Sequence, residues 1–84
     1  MPTARGWLAA GVVNGILYAV GGANNGALNI VEAYDPVTNT WTRKTNMPKA
    51  RFWSAVGVIH GILYSVGGYD DNNILNTVEA FNPQ

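Results

Sequence analysis

Residues 11–22 read GVVNGILYAVGG, and residues 57–68 repeat this stretch as GVIHGILYSVGG. Each copy contains two short apolar runs, which are joined by a two-residue turn and followed by a pair of glycines. Asn14-Gly15 is the strongest short-range signal for a β-hairpin, because both central residues of a type I′ turn need a positive φ. His60-Gly61 is a weaker form of the same turn. The stretch therefore predicts one β-hairpin in each half of the chain.

The duplication extends beyond the hairpins. The glycine pairs lie 46 positions apart, and residues 1–7 (MPTARGW) recur in the same register as residues 47–53 (MPKARFW). After the glycine pairs the second copy has one additional residue, which indicates a surface loop there. Residues 31–36 (VEAYDP) then recur as residues 78–83 (VEAFNP). A supersecondary unit that is repeated at this period is typical of solenoids and propellers.

We expect two units, residues 1–46 and residues 47–84, the second of them truncated. The pattern predicts an all-β fold of antiparallel strands in meander order, at about residues 8–13, 16–20, 29–34 and 40–44 in the first unit and 54–59, 62–66 and 76–81 in the second. The nearly continuous apolar runs of the first two strands favour cover on both sheet faces. The fourth strand is polar except for Trp41, as in an exposed edge strand. Four such strands make one β-propeller blade.

Composition excludes several classes of function. A chain of 84 residues with 48% apolar and 12% charged residues is not a disordered polar chain, and its low charge favours a largely covered surface. A formal net charge of zero gives no attraction to nucleic acid or to an anionic membrane. Without cysteine there is no disulfide or thiol chemistry. Residues 6–23 could pass for a targeting signal, but they recur in register, so we expect structure there and a soluble protein.

The motifs around the hairpins resemble those of the kelch repeat. They are the glycine doublet after an apolar strand, Val-Glu-x-Tyr-Asp-Pro at 31–36, Thr-Asn-x-Trp at 38–41 and Met-Pro-x-x-Arg at 47–51. The second unit has Phe81 where the first has Tyr34, and it lacks the tryptophan segment. The resemblance implies blades of a β-propeller, which usually closes with about six or seven blades. It also implies a protein-binding domain, although a few kelch-type propellers are enzymes.

Two blades cannot close a ring, and fewer than about three repeats rarely bury enough surface to be stable. Either further blades belong to a longer chain, or copies of this chain associate. On grounds of burial we expect association over a lone folded monomer, as a homotrimer with about six blades or a homotetramer with about eight, and closure by missing blades stays open.

No catalytic constellation is predicted, and no cofactor or metal. His60 is expected to be a turn residue. Glu32 and Glu79 recur together with Arg5 and Arg51, which favours ion pairs within each blade over acid–base catalysis. The acidic loop at 70–73 lacks the alternating spacing of a calcium loop and is expected to be solvated.

The candidate binding residues lie in the loops that the resemblance places on the ligand face. These loops precede the first strand of each unit or follow its glycine pair, and large rigid aromatic residues there favour a protein or peptide partner. The candidates are Arg5, Trp7, Asn24, Arg51, Trp53, Tyr69 and Asp70. The alternative is that Trp7 and Trp53 only pack between neighbouring blades.

The sequence thus predicts a non-catalytic kelch propeller unit that binds proteins or acts as a scaffold and assembles with itself. Two alternatives stay open. One is a fragment of a larger kelch-type enzyme, resembling an oxidase or a sugar mutarotase. The other is a purely structural repeat, truncated or engineered, that has no ligand.

Overall fold

The computed structural model describes residues 1–83 and contains seven strands. They are β1 (Ala9–Val13), β2 (Ile16–Val20), β3 (Val31–Asp35), β4 (Thr40–Arg43), β5 (Ala55–Ile59), β6 (Ile62–Val66) and β7 (Val78–Phe81). They form two antiparallel sheets with the orders β1-β2-β3-β4 and β5-β6-β7, which we call blade 1 and blade 2. Nowhere in the described chain is there a helix long and apolar enough to cross a membrane. The predicted all-β fold of antiparallel meander sheets is confirmed, whereas the unit boundary between residues 46 and 47 stays a prediction.

The two hairpin turns have the backbone that their sequences predict. Asn14 and Gly15 have φ values of 52° and 79°, and His60 and Gly61 have φ values of 51° and 75°. Both central residues are therefore left-handed, as a type I′ turn requires. His60 is exposed and serves as a turn residue, as predicted.

The blades pack face to face, and β1 lies against blade 2. Gly11 permits this approach, since a Cβ there would lie 3.0 Å from Cγ1 of Val56 and 3.2 Å from Cδ1 of Leu63. The rings of Tyr18 and Phe81 meet across the same interface with centroids 5.8 Å apart. The buried core comprises Val13, Tyr18, Val20, Val31, Ala33, Met47 and Leu63.

The outer face of blade 2 is largely uncovered within the described chain. Three core residues of blade 1 are almost fully buried, whereas their counterparts in blade 2 are about half exposed. The pairs are Val13 and Ile59 (3% and 60% exposed), Val20 and Val66 (2% and 45%), and Val31 and Val78 (0% and 59%). Within residues 1–83, this face of blade 2 therefore lacks the cover that its apolar residues predict.

Candidate functional site

The two kinds of loop predicted to share one end of the blades lie side by side. Gly6 and Ala23 exchange two backbone hydrogen bonds of 3.0 and 2.9 Å, and Phe52 and Tyr69 exchange two of 2.9 Å. In each blade, the segment that enters the first strand is thereby held against the loop that follows the glycine pair. Side chains from both loops consequently lie at the same end of the molecule.

Four aromatic side chains form a continuous cluster at this end, which we call the aromatic surface. Trp7 stacks on Trp53 with centroids 5.8 Å apart and an interplanar angle of 17°. Tyr69 lies 5.7 Å from Trp53 and 5.7 Å from Phe52, and Phe52 lies 5.8 Å from Trp7. Despite these contacts, Trp7 and Trp53 are 60% and 62% exposed. They pack across neighbouring blades and also present most of their surface to solvent.

The backbone of both tryptophans is left-handed, which is unusual for a bulky residue. Trp7 has a φ of 49° and Trp53 a φ of 57°. Such a conformation costs about 1–3 kcal/mol and tends to occur at functional sites. The two blades are linked at this point, because the N–H of Trp53 donates to the carbonyl oxygen of Trp7 at 2.7 Å. The same strained geometry therefore holds both rings at the surface.

Arg5 lies inside blade 1 and does not reach the aromatic surface. Its side chain is 0% exposed and pairs with Oε1 of Glu32, itself 2% exposed, at 2.9 Å. The guanidinium also donates to three backbone carbonyls, those of Gly21, Ile30 and Ala19. Burial lowers the pKa of Arg5 below its usual value, and the carboxylate of Glu32 opposes that shift. The ion pair within the blade is confirmed, and the expectation that Arg5 contacts a partner is wrong in this structure.

Arg51 has the same role in blade 2. It is 0% exposed, and its guanidinium donates to the carbonyls of Gly67 and Thr77 and to the hydroxyl of Thr77. Glu79 lies 3.2 Å from Nη2 of Arg51. The backbone of Arg51 joins the blades, because its carbonyl accepts from Gly22 at 2.9 Å. Arg51 is therefore also removed from the exposed surface to which we had assigned it.

The remaining two candidates, Asn24 and Asp70, lie in the loops after the glycine pairs. Nδ2 of Asn24 donates to the carbonyl of Ala4 at 3.0 Å. Asp70 accepts from the N–H groups of Asn72 and Asn73 at 2.9 and 2.6 Å and pairs with Lys49 at 3.0 Å. The Asn72 N–H, the Lys49 ammonium and the Asn73 N–H lower the pKa of Asp70 to about 2. Asp70 therefore stays ionised at neutral pH and shapes its own loop.

The neighbouring carboxylate connects the loops of the two blades. Oδ1 of Asp71 accepts from the N–H of Ala27 at 2.8 Å. No group of three or more histidine, cysteine or acidic side chains that could hold a metal ion occurs among residues 1–83. Both acidic side chains of this loop thus have structural partners.

Sequence reasoning missed Phe52, which completes the aromatic surface between Trp7 and Tyr69. Its counterpart in the first unit is Gly6, so the duplication drew no attention to it. The usable signal was the aromatic pair Phe52-Trp53 at the entry to a strand. Phe52 can be recognised as part of the aromatic surface from its position in the loop before β5, and not from a repeated residue in the first unit.

A family model for the kelch motif matches residues 8–48 and 54–84. The chain belongs to the kelch repeat family. The solved structure of YjhT is similar to this kelch chain, with 28% sequence identity and a TM-score of 0.73. That alignment covers 81% of this chain and 22% of the YjhT chain, so the kelch chain spans about a fifth of YjhT. A comparison with curated proteins gives no match.

Proposed function

We propose that this kelch chain is a non-catalytic propeller unit, which assembles with copies of itself through its two exposed sheet faces. The aromatic surface then serves as a binding site for a protein partner. The recurring carboxylates Glu32 and Glu79 are paired with buried arginines, which supports a structural role for them over a catalytic one.

One observation carries the assembly proposal: the exposed face of blade 2 is the counterpart of the face that blade 1 buries. The buried face carries Val13, Tyr18, Val20, Val31 and Ala33. At the equivalent positions, the open face of blade 2 carries the exposed residues Ile59, Val66, Val78 and Ala80 and the half-buried Tyr64. These exposed residues are all uncharged. An apolar patch of this kind marks an interaction site.

The complementary partner face lies on the outside of blade 1. Blade 2 uses Val58, Leu63 and Phe81 on its inner face, and blade 1 carries Val12, Leu17 and Tyr34 at the equivalent positions on its outer face. Blade 2 of one copy can therefore meet blade 1 of the next copy as the two blades meet within one chain. Such head-to-tail contacts close into a ring where the rotation permits, with three or four copies giving about six or eight blades.

Replacing Val66 with aspartate is expected to abolish assembly, because it places a charge among the apolar residues of the exposed face of blade 2, at the end of its central strand β6. The internal contact between the blades lies on the opposite side of the sheet and should persist. Native mass spectrometry should then give the 9.0 kDa mass of one chain.

The matched control is Val37→Asp, since Val37 lies in the β3–β4 turn and is 91% exposed. This variant carries the same added charge and should keep the mass of the wild-type assembly. Equal masses for wild-type chain, V66D and V37D would contradict assembly through this face.

Replacing Trp7 and Trp53 together with alanine is expected to abolish binding of peptides selected by display on the wild-type protein. Large exposed aromatic residues dominate the energetics of protein interfaces. The loss of stability should stay at about 1–2 kcal/mol, because Trp7 and Trp53 are already 60% and 62% exposed as whole residues. Trp41→Ala is the control, since Trp41 packs on Tyr34 within blade 1. If the double variant still binds the peptides, or if it unfolds, the two tryptophans contribute to packing between the blades and not to binding.

A further inference from the structure

We propose that the aromatic surface and the carboxylate of Asp71 together bind an arginine side chain of the protein partner. The planar guanidinium lies against the exposed rings, and its N–H groups donate to Asp71. This inference deepens the proposed function and rests on it, because it names the chemistry of the partner that the aromatic surface takes. The occupant is a segment of the partner protein that presents an arginine.

The apolar part of this surface is centred on blade 2. Isolated β-bridges join Phe52 to Tyr69 and Tyr69 to Ile74, so these three side chains project on the same side. Ile74 is 78% exposed and extends the surface beyond Tyr69. The equivalent bridges of blade 1 join Gly6, Ala23 and Ala27, which carry at most a methyl group. Trp7 therefore reaches from blade 1 onto a surface that blade 2 mostly provides.

The rings of the aromatic surface lie at small angles to one another. The interplanar angle is 17° between Trp7 and Trp53 and 21° between Phe52 and Tyr69, and the other two contacts have angles of 32° and 35°. Such rings form a platform and do not surround a ligand, as the rings of a cage for a compact ammonium group do. A guanidinium is planar and stacks on aromatic faces, which favours arginine over lysine.

The charges at this end of the molecule also favour a cation. Apart from Asp71, the charged side chains in the loops that carry the rings belong to ion pairs. These pairs are Arg5 with Glu32, Lys49 with Asp70, and Arg51 with Glu79. Asp71 is exposed, and it forms no ion pair with any residue that the structure describes. A carboxylate without a countercharge beside aromatic faces is complementary to a cationic side chain.

The backbone fixes Asp71 close to the aromatic surface. Asp71 follows Tyr69 by two residues. Its Oδ1 accepts from the N–H of Ala27, which lies in the loop of blade 1 that is bridged to the segment before Trp7. Its Oδ2 accepts no hydrogen bond within residues 1–83. The second carboxylate oxygen is therefore free to accept from a guanidinium that lies on the rings.

The probe is N-acetyl-arginine methylamide, titrated into the isotopically labelled chain and followed by NMR. The indole N–H resonances of Trp7 and Trp53 should shift to saturation. The resonance of Trp41 should not move, because Trp41 packs on Tyr34 within blade 1. The lysine derivative should bind more weakly than the arginine derivative. The citrulline derivative, which has the shape of arginine without its charge, should bind about fivefold more weakly.

Replacing Asp71 with asparagine removes the charge and keeps the hydrogen bond, because an amide oxygen can still accept from Ala27. D71N should bind the arginine derivative about threefold more weakly, as is usual for the loss of one exposed ion pair. Its affinity for the citrulline derivative should not change. Asp35→Asn is the matched control, since Asp35 likewise accepts from one backbone N–H, that of Val37 at 2.9 Å. D35N should bind both derivatives as the wild-type chain does.

A preference for arginine over citrulline that D71N reduces and D35N retains would support the proposal. Equal binding of the two derivatives, no shift of either indole resonance, or an unchanged preference in D71N would overturn it. Peptides selected by display distinguish this failure from that of the proposed function. If these peptides require Trp7 and Trp53 but contain no arginine that affects affinity, only the arginine proposal fails. If no selected peptide requires the two tryptophans, the binding function of the aromatic surface fails as well.

Discussion

Replacing Gly21 with alanine is expected to destabilise the chain by about 3 kcal/mol, a large fraction of the stability of a small domain. Gly21 has a φ of 66°, which a residue with a Cβ adopts only at a cost. Its Cβ would also overlap the carbonyl oxygen of Arg51, the group that accepts from Gly22 and joins the blades. The decrease in the free energy of unfolding is measured by urea unfolding, followed by tryptophan fluorescence at one fixed protein concentration.

Gly67→Ala separates the two causes. Gly67 has the same φ of 66°, but a Cβ there would lie 3.4 Å from the nearest atom, the carbonyl oxygen of Leu75. The free energy of unfolding of this variant should fall only by the cost of the left-handed backbone at position 67, about 1–2 kcal/mol. If G21A and G67A were equally destabilised, the close approach of the blades at Gly21 would contribute nothing.

Replacing Arg5 with methionine is expected to cost about 3–5 kcal/mol, as is usual when one partner of a buried ion pair is removed. The change leaves the carboxylate of Glu32 buried without its cation. It also removes the donor to three carbonyls in blade 1. Thermal and urea unfolding at a fixed protein concentration test this expectation.

Arg43→Met is the matched control on the same sheet. Arg43 is exposed and makes one hydrogen bond of 3.2 Å, to Asn46. Its loss should change stability by less than about 0.5 kcal/mol. Similar effects of R5M and R43M would show that the buried pair does not hold the blade together.

Local sequence signals predicted most of the fold. The two-residue turns and alternating apolar runs depend on neighbours in the chain, so β2 and β6 begin and end at the predicted residues. The other strands differ from prediction by at most two residues at either end. The resemblance to kelch repeats placed the two kinds of loop at one end, and the hydrogen bonds of Gly6 and Phe52 agree with that placement.

The roles of the arginines could be predicted only in part. Recurrence of Arg5 with Glu32 indicated an ion pair, but the sequence could not show that the guanidinium is fully buried. That burial depends on carbonyls 14–25 positions away, which only the folded sheet brings together.

The exposed faces of the two blades are the centre of this account, and the solution mass of the wild-type chain tests them most directly. Native mass spectrometry and light scattering at two concentrations should give three or four times the chain mass of 9.0 kDa. A mass of 9.0 kDa at both concentrations would contradict the account, because both apolar faces would then stay in water.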